Sequence, residues 1–360
     1  MTDSPADGAF GLYSAVGDAF AGRRLGFGRR RAAAAARFAR FRGAGDGAVA
    51  ASWVAGALAE IGLLDVVLPP GAGERARLLA YADAPLLGAR IVAAIPGAPP
   101  HAADIVRWHR EHDDGTGVPD RLRWDGIPAD AAALGIVHAY LEAVEDPAEP
   151  RDPAEALFAI LADAGRKFRV ELVRAFREFV GAAHNWDASV DDVRLEPVDA
   201  DVALAALAAR IDAREPRNDR RSERLAGLAD ALAARLDLDR GRAARLARLL
   251  ALGRATEDAP HDDFDPLSRF ARERRTDHAR RAATIAGSVP AYAPDAPYLE
   301  ASAAWYEDGP TDPLAAILAL AVAADALDPL DAPRRLSAAA GSQFDPAITR
   351  AYLAGLGAAT

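Results

Sequence analysis

The sequence predicts an all-α protein of about two domains, and three observations carry that expectation. Of its 360 residues, 51% are hydrophobic but only 7% aromatic. The cores should therefore be mostly Ala, Leu and Val, and alanine favours helix because it loses no side-chain entropy there. No stretch sustains the period-two alternation of a half-buried strand. The length suits roughly two domains of 100–200 residues each, and the second half repeats short signatures of the first.

Taken in order, residues 1–18 are Gly- and Ala-rich and are expected to fray. A helical pattern starts at Ala19 and runs to about Phe179, broken at 43–47, 69–73, 96–100, 115–119 and 146–153. Each break carries the Gly, Pro or Asp residues that end helices and make turns. Between about His184 and Asn218 the character is mixed: 190–195 reads as a short extended piece, 201–213 as a helix with Val202, Leu204, Leu207 and Ile211 on its apolar face, and 214–218 as its break. The expected organisation is a first domain over 19–183, a linker with a short helix over 184–216, and a second domain over 217–357.

Formal net charge is −10, so the chain as a whole is not a polyanion binder. Arg23, Arg24, Arg29, Arg30, Arg31, Arg37, Arg40 and Arg42 nevertheless form an acid-free basic run, and 235–254 is a second Arg-dense helix. Because the two open their halves at equivalent places, they are expected to pair with acids elsewhere in the fold. Nucleic-acid binding is not expected, since no aromatic-interleaved pattern or reading motif accompanies them. The absence of cysteine excludes disulfides and thiolate chemistry. The opening Met1-Thr2-Asp3-Ser4-Pro5 lacks a basic region followed by an apolar one. The longest apolar run, 313–324, is far short of the ~20 residues a membrane span needs. A cytoplasmic protein without a membrane span is the expectation.

The internal repeat is specific. Gly165-Arg166-Lys167-Phe168, Leu172 and Arg174-Ala175-Phe176 return as Gly341-Ser342-Gln343-Phe344, Ile348 and Arg350-Ala351-Tyr352 at one constant offset. Ile91, Ile95-Pro96 and Asp114-Gly115 return as Ile285, Val289-Pro290 and Asp308-Gly309 at another. Two constant offsets separated by one deletion are what a diverged duplication leaves, and the period is a whole domain rather than a solenoid repeat.

The most informative segment is 104–128. It holds His109, Arg110, Glu111, Asp114-Gly115, Gly117, Val118-Pro119 and Ile127-Pro128. It resembles the third motif of the HD-GYP family, a branch of the HD metal-dependent phosphohydrolases, with Arg110 in place of the second His and Val118 in place of Tyr. Ala59-Glu60-Ile61-Gly62 resembles the family's His-Asp-Ile-Gly; Ala84-Pro85 and the following Gly88-Ala89 resemble its His-Pro motif without the His. Val137-His138-Ala139-Tyr140 resembles the helix carrying its metal-binding Asp, and Gly341 to Pro346 its closing segment. The resemblance implies two tandem HD-like helical bundles and, in an intact member, a multi-metal centre acting on a cyclic dinucleotide such as cyclic di-GMP.

Counted against that ligand set, the chain is depleted. The first copy keeps His109 and offers Glu60 and His138 as substitutes; in the second copy His278 falls at the His-Pro position and Asp325 near the fourth-motif position, while Leu250-Ala251 stands for the His-Asp pair. Apolar residues cannot hold a hard divalent ion. No cofactor is therefore expected, with a single divalent ion on His109, His138 and Glu60 left open. The motif loop Glu111, Asp114, Gly115, Gly117 and Pro119 is expected to keep a local structural role, with Asp114 bonding to nearby backbone. The expected function is a non-catalytic regulatory or scaffolding protein acting through a protein partner or a nucleotide; the alternative is an active metal-dependent phosphohydrolase of the cyclic di-GMP phosphodiesterase class.

Overall fold

A computed structural model describes residues 5–68, 71, 73–187, 190, 193–215, 219–255 and 265–357. Pro69, Pro70, Asp191, Asp192, Pro216, Arg217 and Asn218, which the sequence places in a loop, the short extended piece and the linker break, lie outside them. Every regular element among the described residues is helical. The chain divides into two compact units, Met1–Asp199 and Ala200–Thr360.

The first unit comprises α1 (Pro5–Phe20), α2 (Phe27–Phe41), α3 (Asp46–Leu58), a 3-10 turn (Ile61–Asp65), α4 (Glu74–Ala82), α5 (Ala84–Ala93), α6 (Ala102–Trp108), α7 (Ala129–Val144), α8 (Pro153–Ala162), α9 (Val170–Gly181) and α10 (Ala183–Asp187). The few aromatics are concentrated rather than spread. Phe38 lies 5.3 Å from both Phe176 and Phe179, and Tyr140 lies 5.3 Å from Phe176. These rings join α2, α7 and α9 around one core that also buries Phe27, Ile136, Val137 and Ile160. The expectation of an Ala, Leu and Val core thus misses the centre of this unit. The fraying expected of residues 1–18 is not found in their described part: α1 buries Phe10, Leu12, Tyr13 and Val16 and packs on α3 and the 3-10 turn, while residues 1–4 lie outside the described residues. An apolar stripe along the helix offsets the ordering entropy that its glycines raise.

The second unit comprises α11 (Ala200–Asp212), α12 (Arg221–Arg235), α13 (Arg240–Leu249), a 3-10 turn (Leu250–Arg254), α14 (Arg269–Gly287), α15 (Ala296–Ala301), α16 (Pro313–Ala326), α17 (Ala332–Ala338) and α18 (Pro346–Gly357). Its core is mainly Ala and Leu, with Leu232, Leu246, Leu299, Leu318 and Leu336 fully buried. Helix α11, read from the sequence as part of the connection, buries Leu204, Leu207 and Ile211 and packs on α12 and α13.

The same local devices occur in both units. A Cβ on Gly62 would stand 1.9 Å from the Ala84 carbonyl oxygen, and one on Gly253 would stand 2.0 Å from that of His278. Each 3-10 turn therefore lies so close to the next long helix that only glycine fits. The Gly165 N–H donates to the Phe168 carbonyl at 2.8 Å, and Gly341 to Phe344 at 2.9 Å. Asp113 and Asp114 donate to the carbonyls of Lys167 and Arg166, as Tyr306 and Glu307 do to those of Gln343 and Ser342.

Asp18 ties α1 to the start of α2 by accepting from the Gly26 and Gly28 N–H groups at 2.9 Å each. Burial pushes its carboxyl up to about 6, and Arg31 and those two N–H groups only partly offset that. A carboxyl raised in the folded state binds protons that the unfolded chain has released, so stability falls as pH rises from about 4 through 6. The expected loss is roughly 3 kcal/mol, since each tenfold change in an acid's ionisation constant is worth about 1.4 kcal/mol. Asp18→Asn should remove this slope: urea unfolding at pH 4 and pH 7 should show the variant gaining on the wild type by about that amount. Parallel profiles for the two proteins would show that the Asp18 carboxyl binds its proton equally in the folded and unfolded states.

Candidate functional site

The site of the first unit is built where α2, α3 and α7 meet. Gly56 lets α3 cross α2 closely, since a Cβ there would touch the Ala32 Cα at 2.8 Å. That crossing carries the Arg31 side chain, 1% exposed, to the end of α3, where its Nε donates to the Gly56 carbonyl at 2.7 Å. A cation is favoured at the last carbonyls of a helix. Just beyond, at the entry to the 3-10 turn, stands buried Glu60; Arg31 Nη1 donates to its Oε2 at 2.9 Å. Arg23 Nε and Arg110 Nη2 approach the other carboxylate oxygen at 3.5 and 3.7 Å. Arg23 also bonds Glu142 of α7. The guanidinium groups of Arg23 and Arg31 lie over the Phe27 ring, 5.3 and 5.1 Å from its centre.

His138 of α7 completes the cluster. Its ring stacks on that of His109 with centres 5.3 Å apart. Burial pushes both imidazoles down, His109 to about 3 and His138 well below its usual value, with Arg110 and Arg31 acting the same way. Both rings are therefore neutral at neutral pH. Burial would raise the Glu60 carboxyl, but Arg31, then Arg23 and Arg110, outweigh it and hold it below the ordinary carboxylate range. His109 Nδ1 lies 2.7 Å from the Val106 carbonyl, so it carries the proton and donates, leaving Nε2 without a partner.

The structure thus brings Glu60, His109 and His138 together. It adds Glu142, Arg23, Arg31 and Arg110, which sequence reasoning did not select. Two signals pointed to them. Glu142 follows His138 by four residues, one turn along the same face. Arg31 sits four residues after Phe27 and seven before Phe38, inside an otherwise apolar stripe of α2.

One atom each of Glu60, His138 and Glu142 lie within 4.8 Å of one another, the spacing of a metal site. Two features of this donor set oppose a divalent ion there. Three guanidinium groups already answer the charge of Glu60 and Glu142, leaving those carboxylates little for an ion. Further, His138 Nδ1 lies 3.4 Å from Arg31 Nη1, which can only donate. That contact favours the proton on Nε2, the atom nearest both carboxylates at 4.0 and 3.9 Å. A metal-binding imidazole normally turns its protonated nitrogen toward an acceptor; here that nitrogen would face a guanidinium. As arranged, the residues do not fit the ion.

The motif loop is held by its own side chains. Asp114 Oδ1 accepts from the Thr116 N–H at 2.9 Å and from its hydroxyl at 2.6 Å. Buried Glu111 accepts from the Asp120 and Leu122 N–H groups at 2.6 and 2.9 Å, latching the chain beyond Pro119. Gly115 has φ +77°, a conformation glycine adopts freely. In the second unit, Asp325 accepts from Arg221 Nε at 3.1 Å and Arg224 Nε at 2.7 Å, and His278 lines a pocket. Among the described residues no metal-type group forms around those two. The basic run is largely an internal ion-pair strip: Arg23, Arg30, Arg31 and Arg42 pair with Glu142, Glu145, Glu60 and Asp130. No helix among the described residues is long and apolar enough to cross a membrane.

No family model and no curated protein matches the sequence. Among solved structures, a cyclic GMP-AMP-specific phosphodiesterase of V. cholerae is similar over 98% of this chain and 97% of its own, with a TM-score of 0.68 and 16% identity. At that identity the likeness is one of fold, and the fold is all-α.

Proposed function

We propose that this chain is a member of the HD-GYP line, with two diverged copies of one HD-like domain, and that its first unit binds the phosphate backbone of a nucleotide of the cyclic-dinucleotide class. In this reading guanidinium groups have taken over the charge that metal ions supply in the parent family. The observation that carries it is Arg31, buried against Glu60 and His138 where the family resemblance implies metal. Arg110 adds to it: it replaces a motif histidine, keeps its side chain 38% exposed, and so can reach a ligand that the buried residues cannot. Guanidinium groups match phosphate oxygens in geometry as well as charge. The paired glycines, turns and backbone bonds of the two units support the duplication.

The second reading is an active metal-dependent phosphodiesterase. Two observations favour it: the Glu60, His138 and Glu142 donor atoms lie at metal-site spacing, and the structural neighbour is itself a phosphodiesterase. They weigh more for this reading than anything weighs for a scaffold working through protein contacts alone. For it to hold, Arg31 must leave Glu60 when the ion enters. Metal analysis of the purified protein and cyclic dinucleotide titration, each followed by an assay for hydrolysis with added manganese, separate the two. Binding without turnover, and less than one metal per chain, is the expected outcome. Turnover that His138→Ala abolishes would establish the enzyme instead.

A further inference from the structure

The second unit holds a cavity of about 60 Å³ under the 3-10 turn Leu250–Arg254. It lies where the first unit has its ligand cluster. There Leu250 and Ala251 replace Ala59 and Glu60, so the carboxylate that anchors the first site is gone. Three arginines face the space, Arg221 and Arg254 at its α12 and turn sides and Arg275 from α14, together with His278.

Their charge is only partly answered. Asp325 is shared between Arg221 and Arg224, and Asp212 pairs with Arg254 while also accepting from the Ser222 N–H. Among the described residues, the three lining guanidinium groups therefore meet two carboxylates, one of them shared with Arg224. Arg275 bonds the Pro266 carbonyl and has no carboxylate partner among the described residues. Burial, then the neighbouring Arg272 and Arg221, push Arg275 down to about 10; burial and Arg254 push Arg221 down as well. Paired arginines of the same unit, Arg224, Arg245 and Arg248, are shifted the other way. Clustered, partly desolvated cations with an unfilled space between them are stabilised by an anion. The volume holds roughly four to six waters at 10–15 Å³ each, room for a phosphate group.

We propose that this pocket is a phosphate-binding site for a terminal phosphate group, with Arg221, Arg254 and Arg275 as its donors. It requires no metal and is independent of the reading given to the first unit. The fork of each guanidinium supplies paired donors to phosphate oxygens, and the three lining arginines outnumber the carboxylates that pair with them among the described residues.

The test is calorimetric titration of the full chain with inorganic phosphate, against chloride at equal ionic strength. Wild type should bind. Arg275→Gln should weaken binding at least tenfold, about 1.4 kcal/mol, and should also raise the phosphate-free unfolding temperature, because it removes a partly buried charge with no carboxylate partner among the described residues. Arg240→Gln, an exposed arginine paired with Asp230, should bind as wild type does. Arg110→Gln bears on the first-unit reading alone: it should weaken cyclic-dinucleotide binding and leave the Arg275-dependent part of the phosphate isotherm in place, so failure here and failure there are distinguishable. No phosphate binding by the wild type, or equal binding by Arg275→Gln, overturns the proposal.

Discussion

Arg31→Met should cost the protein about 3–5 kcal/mol, the loss typical of breaking a buried ion pair by removing one partner. Glu60 is 3% exposed and keeps only the longer approaches of Arg23 and Arg110 once Arg31 is gone. The Gly56 carbonyl loses its donor in the same step. Arg31→Met combined with Glu60→Leu should recover most of that loss, since it removes both buried charges while Arg23 retains Glu142. Urea unfolding of the three proteins supplies the comparison. A single variant as stable as wild type would mean that Glu60 takes up a proton at little cost. The variant also addresses metal. With Arg31 absent, Glu60 loses its nearest cation and His138 Nδ1 no longer faces a guanidinium, and manganese or zinc should stabilise Arg31→Met but not the wild type. Stabilisation of the wild type would favour the phosphodiesterase reading.

How much of this was legible in the sequence depends on whether a feature is local. Helices were, because alanine content and Gly, Pro and Asp breaks act within a turn or two. The proposed match of Ala59-Glu60 with Leu250-Ala251 has one physical support, that Gly62 and Gly253 each must be glycine for the turn to touch the next helix. Helix α1 was hidden by its glycines, although Phe10, Tyr13 and Val16 recur at helical spacing. The aromatic core was hidden for a different reason. Composition reports how many rings exist, not that Phe38, Tyr140, Phe176 and Phe179, far apart in the chain, converge. Glu60, His109 and His138 could be named from their motif positions. Arg31 was marked only by its place in the Phe27–Phe38 stripe; what it meets there is set by the α2–α3 crossing at Gly56, which the sequence of α2 does not carry.

The motif loop should prove to be the most intolerant surface segment of the first unit. A Cβ at Gly117 would stand 2.3 Å from the His112 nitrogen, 2.4 Å from the Glu111 Cα and 2.6 Å from the Arg110 carbonyl oxygen. All three are backbone atoms, so no side chain can swing aside to make room. Relief requires the loop to move off residues 110–112. That movement breaks the Val118 N–H bond to the Arg110 carbonyl and pulls on the Glu111 latch to Asp120 and Leu122. A freed Glu111 would be a buried carboxylate without partners, itself a cost of about 1–3 kcal/mol or more. Gly117→Val is therefore expected to lose more than about 4 kcal/mol, in the range reserved for gross steric or unpaired-charge defects, and Gly117→Ala to lose a large part of that. Gly126→Ala is the matched control: its Cβ would meet nothing nearer than the Leu122 Cβ at 3.8 Å. His109→Ala, by contrast, removes a ring with one satisfied nitrogen and should be milder than Gly117→Val. Thermal and urea unfolding of the four variants rank them. If Gly117→Val melts with the wild type yet no longer binds a cyclic dinucleotide, the loop serves the ligand and not the fold.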